Sequence, residues 1–506
     1  MLKQSNRGLF KLSAIIAGFL FFATACKKDP KVAPDPVPPA QASRDELTKD
    51  SIFLYAKQTY YWNDALPTYE AFKARSFSSF DSELDKIKSY KIDNSTGKPI
   101  DKYSFLDDGS LSSELGGVSG DYGFSANFNN GDRSDLRIRY VYPNSPAGKQ
   151  NVNRGDRIIK LNGRSDIDGN SQANVDFLND AIFGNKASVS MTLRKKNGST
   201  VDVTVNRGSY SINPVLYTHV FTAGSKKVGY LVFNSFTTNA TNKLDDVFTD
   251  FSAQGVSEVI VDLRYNGGGS VSTAEDLTNL IAPSSATGSV MYTTLWTKTM
   301  QDGAATILKN QKFWANGNDG VRRLYSFFDY DYRPTEEAGN LARFAKRGSA
   351  NISRAYFIVS GSTASASELV INNLKPVMDV KLIGRKTYGK PVGFFAITID
   401  DLDLYIPQFE TKNSLNQGGY FDGMTVDKDD FDDISRDFGD PEERLLANAL
   451  SYAAKGSFLS VRPGADRISS VSPLVKEDVE RINQEINSHD LNGMFETRMP
   501  KLKLKQ

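Results

Sequence analysis

A serine and a lysine carry the chemistry most legible in this chain. Ser365 lies in Gly361-Ser-Thr-Ala-Ser365-Ala-Ser367-Glu368, directly after the apolar run Arg354-Ala-Tyr-Phe-Ile-Val-Ser360. An apolar run followed by Ser-x-x-Glu predicts a strand that turns into a helix, with Ser365 on the turn. By itself Ser365-x-x-Glu368 is only a capping box. A hydroxyl on such a corner, however, has backbone N–H groups behind it that favour developing negative charge. Lys390 lies in Tyr388-Gly389-Lys390-Pro391-Val392-Gly393, on the next predicted strand. A neutral amine there can take the serine proton, and the chemistry to expect is nucleophilic attack on a carbonyl. A free lysine titrates near ~10.4, so acting as a base at neutral pH takes about 4 kcal/mol of bias toward the neutral amine. Tyr388, Pro391, Val392, Phe394 and Phe395 offer the apolar surroundings that supply it.

Such attack also needs donors for the oxyanion. The N–H of Ala366, next after the serine, is one candidate. Val261-Asp-Leu-Arg264-Tyr-Asn266-Gly267-Gly268-Gly269 offers the other, because a strand ending in three glycines lets the backbone approach a substrate carbonyl. Competing chemistries fit less well. No G-x-G-x-x-G continues past Gly269 and no P-loop is present, which argues against nucleotide binding. The two histidines, His219 and His489, are far apart and outside any zinc-type motif. His219, in Leu216-Tyr-Thr-His-Val-Phe221, is the alternative base, in a stretch that reads as a strand.

The elements that position these residues are spread over a long chain. At 506 residues it exceeds one core and predicts several domains, and a net charge of +1 gives no argument for nucleic acid. Residues 1–25 read as a secretory signal: Lys3, Arg7 and Lys11, the apolar run Leu12 to Phe22, then small residues ending at Cys26. That ending resembles the bacterial lipobox, which implies lipidation of Cys26 and membrane attachment in the cell envelope. Cys26 is the only cysteine, so the body carries no disulfide or thiol nucleophile. Residues 26–42 form a Pro-rich tether. Residues 43–118 open with the capping box Ser43-Arg44-Asp45-Glu46 and predict a small helical domain in which no chemistry is visible.

Residues 119–208 switch to short alternating strands. They contain Ser145-Pro146-Ala147 and Arg154-Gly155-Asp156-Arg157-Ile158-Ile159-Lys160-Leu161-Asn162-Gly163, which closely resemble PDZ domains. The resemblance implies capture of a free peptide C-terminus by strand addition, with Tyr122-Gly123-Phe124 at the carboxylate-binding loop. Residues 209–455 alternate strands and helices as an α/β core does. Residues 301–350 read as an insertion at its rim, and 456–506 as a C-terminal extension with one amphipathic helix and a basic tail.

The Ser-Ala-Ser-Glu setting of Ser365, the spacing to Lys390 and the Asp-x-Arg-x-Asn-x-Gly-Gly segment resemble the C-terminal processing (tail-specific) serine peptidases, the Ser/Lys relatives of the tricorn core. The resemblance implies a multidomain α+β and α/β protein. It would be an endopeptidase that cleaves exported proteins near their C-termini without a cofactor. Its substrates would be polypeptides with free C-termini, with no nucleic-acid partner, and it would meet the membrane through the N-terminal lipid anchor. Ser365 would be nucleophile, Lys390 base, and Gly267 or Gly268 with Ala366 the oxyanion donors. Two positions depart from the family pattern. Phe394 stands where a glutamine usually orients the lysine, and Pro391 where glycine usually follows it. The alternative they leave is a lipid-anchored, peptide-binding scaffold with weak or no turnover.

Overall fold

The computed structural model describes residues 42–129, 131–317, 319–460, 473–487, 493–497 and 503–504. Cys26, the signal-like run and nearly all of the Pro-rich tether lie outside the described residues, as does His489. All described residues fall in one compact unit.

In chain order, helix α1 spans Arg44–Thr59 and is closed at its start by a true capping box, Ser43 with Glu46. Strands β1 (Phe124–Phe128), β2 (Leu136–Val141), β3 (Arg157–Leu161), β4 (Ser188–Arg194) and β5 (Thr200–Asn206) follow, with α2 (Gln172–Phe183) between β3 and β4. Then come β6 (Val215–Ala223), β7 (Lys226–Phe233), α3 (Thr241–Ala253), β8 (Glu258–Asp262), β9 (Gly268–Ser270) and α4 (Val271–Ile281). They are followed by β10 (Val290–Trp296), β11 (Leu341–Arg343), β12 (Arg354–Val359), α5 (Ala366–Leu374) and β13 (Asp379–Gly384). Strands β14 (Val392–Gly393), β15 (Phe409–Asn413), β16 (Lys428–Asp429), helices α6 (Arg444–Lys455) and α7 (Pro473–Ile486), and β17 (Gly493–Phe495) complete the elements used below.

Strands β1 to β5 form one antiparallel sheet in chain order, folded over α2. The central sheet has six strands in the order β16-β13-β12-β8-β7-β6, parallel except for the β6–β7 pair. Strands β8 and β12 are buried along nearly their whole length, as the continuous apolar runs require when both faces of a parallel sheet are covered. Helices α3, α4 and α5 pack into the apolar cluster on one face and α6 into the cluster on the other. A second, antiparallel sheet, β11-β10-β15-β14, carries the chain beyond Lys390. Ligands in open parallel sheets bind outside the carboxyl ends of the strands. Here those are the ends of β8 and β12, from which the glycine turn and the Ser365 turn emerge.

Residues 43–118 are mainly helical, and their apolar side chains join the buried cluster of the central region. Phe105–Asp107 pairs antiparallel with Leu402–Tyr405, which fastens this part of the chain to the core. The extension is also built in: Val479, Ile482 and Ile486 of α7 share the apolar cluster of the β1–β5 sheet.

Candidate active site

Ser365 sits at the N-terminus of α5 with φ +60° and ψ −107°, a conformation that costs a non-glycine residue energy. The turn is held by bonds that reach across to the β8 turn. Thr363 Oγ1 donates to Leu263 O at 2.7 Å, Ser360 Oγ donates to Arg264 O, and Ala364 N and Ser367 Oγ both donate to Asn266 O. The neighbouring strands therefore fix the strained serine, consistent with strain stored at a working position.

The expected capping box is only half made. The Ser365 N–H donates to Glu368 Oε2 at 2.8 Å, whereas Ser365 Oγ has no hydrogen-bond partner among the described residues. The hydroxyl is therefore not committed to the helix. Sequence reasoning placed it on a surface corner. Instead Ser365 is 0% exposed.

Glu368 is the hub. Its Oε2 accepts from the N–H groups of both Ser365 and Lys390, and its Oε1 from Gly389 N and Thr387 Oγ1. Burial pushes its carboxyl up, and these four donors oppose that shift by favouring the anion. The lysine turn is shaped to fit. Gly389 has φ +85°, and a Cβ there would stand 2.3 Å from Phe421 O.

Lys390 is 1% exposed. Burial drives its ammonium well below the ordinary lysine range; Asp101 and Glu368 oppose the shift and Lys102 adds to it. The Nζ lies 4.0 Å from the centre of the Phe394 ring and 5.5 Å from that of Tyr103. A ring face favours the ammonium, and exclusion of water disfavours it more strongly. Phe394, in place of glutamine, thus supplies desolvation where a polar contact was expected.

Tyr103 and Asp101 come from the N-terminal region, where sequence reasoning saw no chemistry. That expectation is corrected here. Tyr103 OH donates to Gly389 O at 2.5 Å, and Asp101 Oδ1 accepts from Tyr103 N and Ser104 N. The only sequence signal was a cluster of aromatic and acidic residues around 101–107, with nothing to say that it folds against residue 390.

The glycine turn lies beside the serine. A Cβ on Gly268, at φ +111°, would fall 3.0 Å from Ala366 N and 3.1 Å from Ala364 O, so only glycine brings the two turns this close. The Gly268 N–H is already taken, since it donates to Asn266 Oδ1 at 2.9 Å. Of the two glycines considered as oxyanion donors, Gly267 is therefore the better placed. The Gly267 and Ala366 N–H groups make no hydrogen bond among the described residues.

His219 is exposed on β6, the strand at the far edge of the central sheet from the Ser365 turn, and stacks edge-on against Phe221. It does not join the group around Ser365.

In the β1–β5 sheet, a Cβ on Gly123 would overlap Ser145 Cβ at 1.9 Å, so the turn before β1 demands glycine. The Gly123 N–H donates to Asp121 Oδ1 at 2.7 Å and is not open to a carboxylate; this corrects the expectation for that loop. Tyr122 is buried and Phe124 begins β1. Beside them opens a cleft of about 510 Å³ lined by Ser119, Asp121, Tyr122, Phe124, Phe183 and Arg207. Arg207, which the sequence did not single out, supplies the cation at this cleft.

One buried network joins the two regions. Arg154 Nη2 and Arg264 Nη1 both donate to Asp432 Oδ1, at 2.7 and 2.6 Å, and Arg264 also pairs with Asp262 and Glu443. Burial alone would raise the Asp432 carboxyl, but the two guanidiniums hold it below the usual range.

Residues 227–415 match the model of peptidase family S41, a segment that contains Ser365, Lys390, Glu368 and the glycine turn. The likeness to peptidase family S41 is therefore carried by the segment that holds both turns. The chloroplastic C-terminal processing peptidase of Tetradesmus obliquus is 23% identical over 284 residues, 54% of this chain and 52% of that protein. A Staphylococcus aureus protein named as a CtpA-like serine protease is 25% identical over 313 residues, 61% of this chain and 53% of its own. The chain spans about half the length of these curated relatives. A crystal structure described as an S41 protease from Bacteroides fragilis aligns with a TM-score of 0.55 at 23% identity, over 83% of this chain and 99% of that one. That likeness shows a shared fold.

Proposed function

We propose that this S41 chain is a serine endopeptidase that cleaves exported proteins near their C-termini with Ser365 as nucleophile and Lys390 as base. The observation that carries the reading is the shared Glu368 carboxylate, which anchors the backbone of both residues while Lys390 is stripped of water. A desolvated, neutral Nζ accepts the proton of Ser365 Oγ as the oxygen attacks the scissile carbonyl. The tetrahedral oxyanion forms against the N–H groups of Ala366 and Gly267. Lys390, now an ammonium, returns the proton to the leaving amine, and water releases the acyl group by the reverse sequence. The strained turn and the N-terminus of α5 favour the negative charge at this point.

Substrate capture falls to the β1–β5 sheet, read as a PDZ domain. An extended peptide adds along β1, and Arg207 at the open cleft beside Tyr122-Gly123-Phe124 meets its terminal carboxylate. The anchor at Cys26 holds the enzyme at the bacterial cell envelope.

The test uses a fluorophosphonate label and a peptide pair. Ser365 should label covalently and Ser365→Ala should not. A substrate with a free carboxylate should be cleaved faster than its amide, and Arg207→Ala should erase that preference. Absence of both labelling and cleavage in a folded, tail-free chain would leave the scaffold reading, which the Phe394 replacement favours. Radiolabelled lipid should enter the wild type and not Cys26→Ser.

A further inference from the structure

The C-terminal extension lies along both surfaces that a substrate would use. Helix α7 packs against β1 and α2, with Val479, Ile482 and Ile486 in the apolar cluster of that sheet. Asn483 Oδ1 accepts from Phe128 N at 2.8 Å, and Asn483 Nδ2 donates to Phe128 O at 3.1 Å. These are outward backbone groups of an edge strand, the ones an added strand would pair with. Asn487 continues the contact: Ser125 Oγ donates to its Oδ1, and Asn179 of α2 reaches Glu485 O from the other side.

Further on, β17 runs parallel to β9, pairing Gly493 with Gly268 and Met494 with Gly269. Gly493 N donates to Gly267 O at 3.0 Å. On its other edge Phe394 N donates to Met494 O and Glu496 N donates to Phe394 O. The segment is thus threaded between the glycine turn and the ring that covers Lys390. A Cβ on Gly268 would stand 2.2 Å from Gly493 O and 3.0 Å from Ala366 N, so this carbonyl lies close to the proposed oxyanion donor. Met494 and Phe495 are buried, and Phe495 packs on Phe394 and Tyr405.

We propose that this extension is an intramolecular pseudo-substrate: α7 fills the peptide groove, β17 fills the catalytic cleft, and the chain in this form is self-blocked. The inference rests on the peptidase reading above and adds the substrate class. The cleft takes an extended segment in which a small residue is followed by two large apolar ones, as in Gly493-Met494-Phe495. The complementary surface is already formed, so a released tail leaves a site that binds such segments in trans.

The test uses full-length chains. Met494→Asp with Phe495→Asp puts two charges into the buried segment; Asn483→Ala with Asn487→Ala loosens α7 more gently. Trypsin cutting after Arg481, within α7, reports release independently of activity. Release should raise the rate of fluorophosphonate labelling at Ser365 at least about tenfold in either double variant. Acetyl-Gly-Met-Phe-Glu-Thr-amide should slow that labelling, and the same peptide with Asp in place of Phe should not. In a released chain carrying Ser365→Ala, the apolar peptide should bind saturably. Faster trypsin cutting with unchanged labelling and no peptide binding would overturn the proposal. Saturable binding without labelling in the Ser365 chain would instead remove the catalytic reading and keep the pseudo-substrate.

Discussion

The N–H groups of Ser365 and Lys390 donate to one and the same oxygen, Glu368 Oε2, each at 2.8 Å. Two turns from different strands thereby share a single acceptor, and any movement of that carboxylate moves both. Glu368 is in this sense a positioning residue.

Glu368→Gln should be costly on two counts. An amide presents a donor to one pair of N–H and O–H groups that now meet an anion, leaving buried donors unpaired. The expected loss is about 3–5 kcal/mol of stability, read by urea denaturation. At temperatures where the variant is folded, kcat should fall far more than KM rises, because the strands proposed to bind substrate are untouched.

Ser365→Ala should abolish turnover with little structural penalty. The hydroxyl is buried without a hydrogen-bond partner among the described residues, so removing it costs none of the bonds seen there and the melting point should match or exceed that of the wild type. A shift in stability beyond about 1 kcal/mol in the destabilising direction would mean that the hydroxyl has a structural bond.

Lys390→Ala should lose as much activity as Ser365→Ala, and the double variant no more, since nucleophile and base act as one unit. Lys390→Arg should fail too, because a guanidinium stays protonated and cannot accept the serine proton. Lys390→Met keeps the volume without an amine and should fail in the same way. Full turnover in Lys390→Ala with loss in His219→Ala would replace the lysine mechanism with a histidine one.

The depressed Lys390 ionisation sets the pH dependence. The folded state holds the neutral amine at pH values where the unfolded chain holds the ammonium. kcat/KM should therefore rise with pH through one ionisation well below that of a free lysine. Stability should also rise with pH between the folded and unfolded values, where the unfolded chain binds more protons; the burial penalty is full below the folded value and gone above the unfolded one.

Phe394 offers a check on the cause of that shift. Phe394→Leu keeps water out but removes the ring face, so the ionisation should move further down. Phe394→Gln introduces an acceptor for the ammonium and should move it up, at a cost of about 2–4 kcal/mol in a fully buried aromatic site. A pH–rate series on the three proteins reads the order directly.

The local parts of the site are written in the chain. The apolar run before Gly361, the Ser-x-x-Glu start of α5 and the triple glycine after β8 are each written within a few residues. Backbone turns and helix starts depend on neighbours along the chain, so the Ser365 and Gly268 turns were legible, as were the alternating strands of 119–208. The rest depends on contacts between distant segments. That Tyr103 and Asp101 wall the lysine, that Asn266 consumes the Gly268 N–H, and that Arg154 and Arg264 meet on Asp432 could not be read from spacing. The burial of Ser365 belongs to the same class, as does the seating of α7 on β1 and of β17 on β9. Desolvation and hydrogen-bond competition arise from whichever groups the fold brings within a few ångströms, and a linear pattern does not encode that choice.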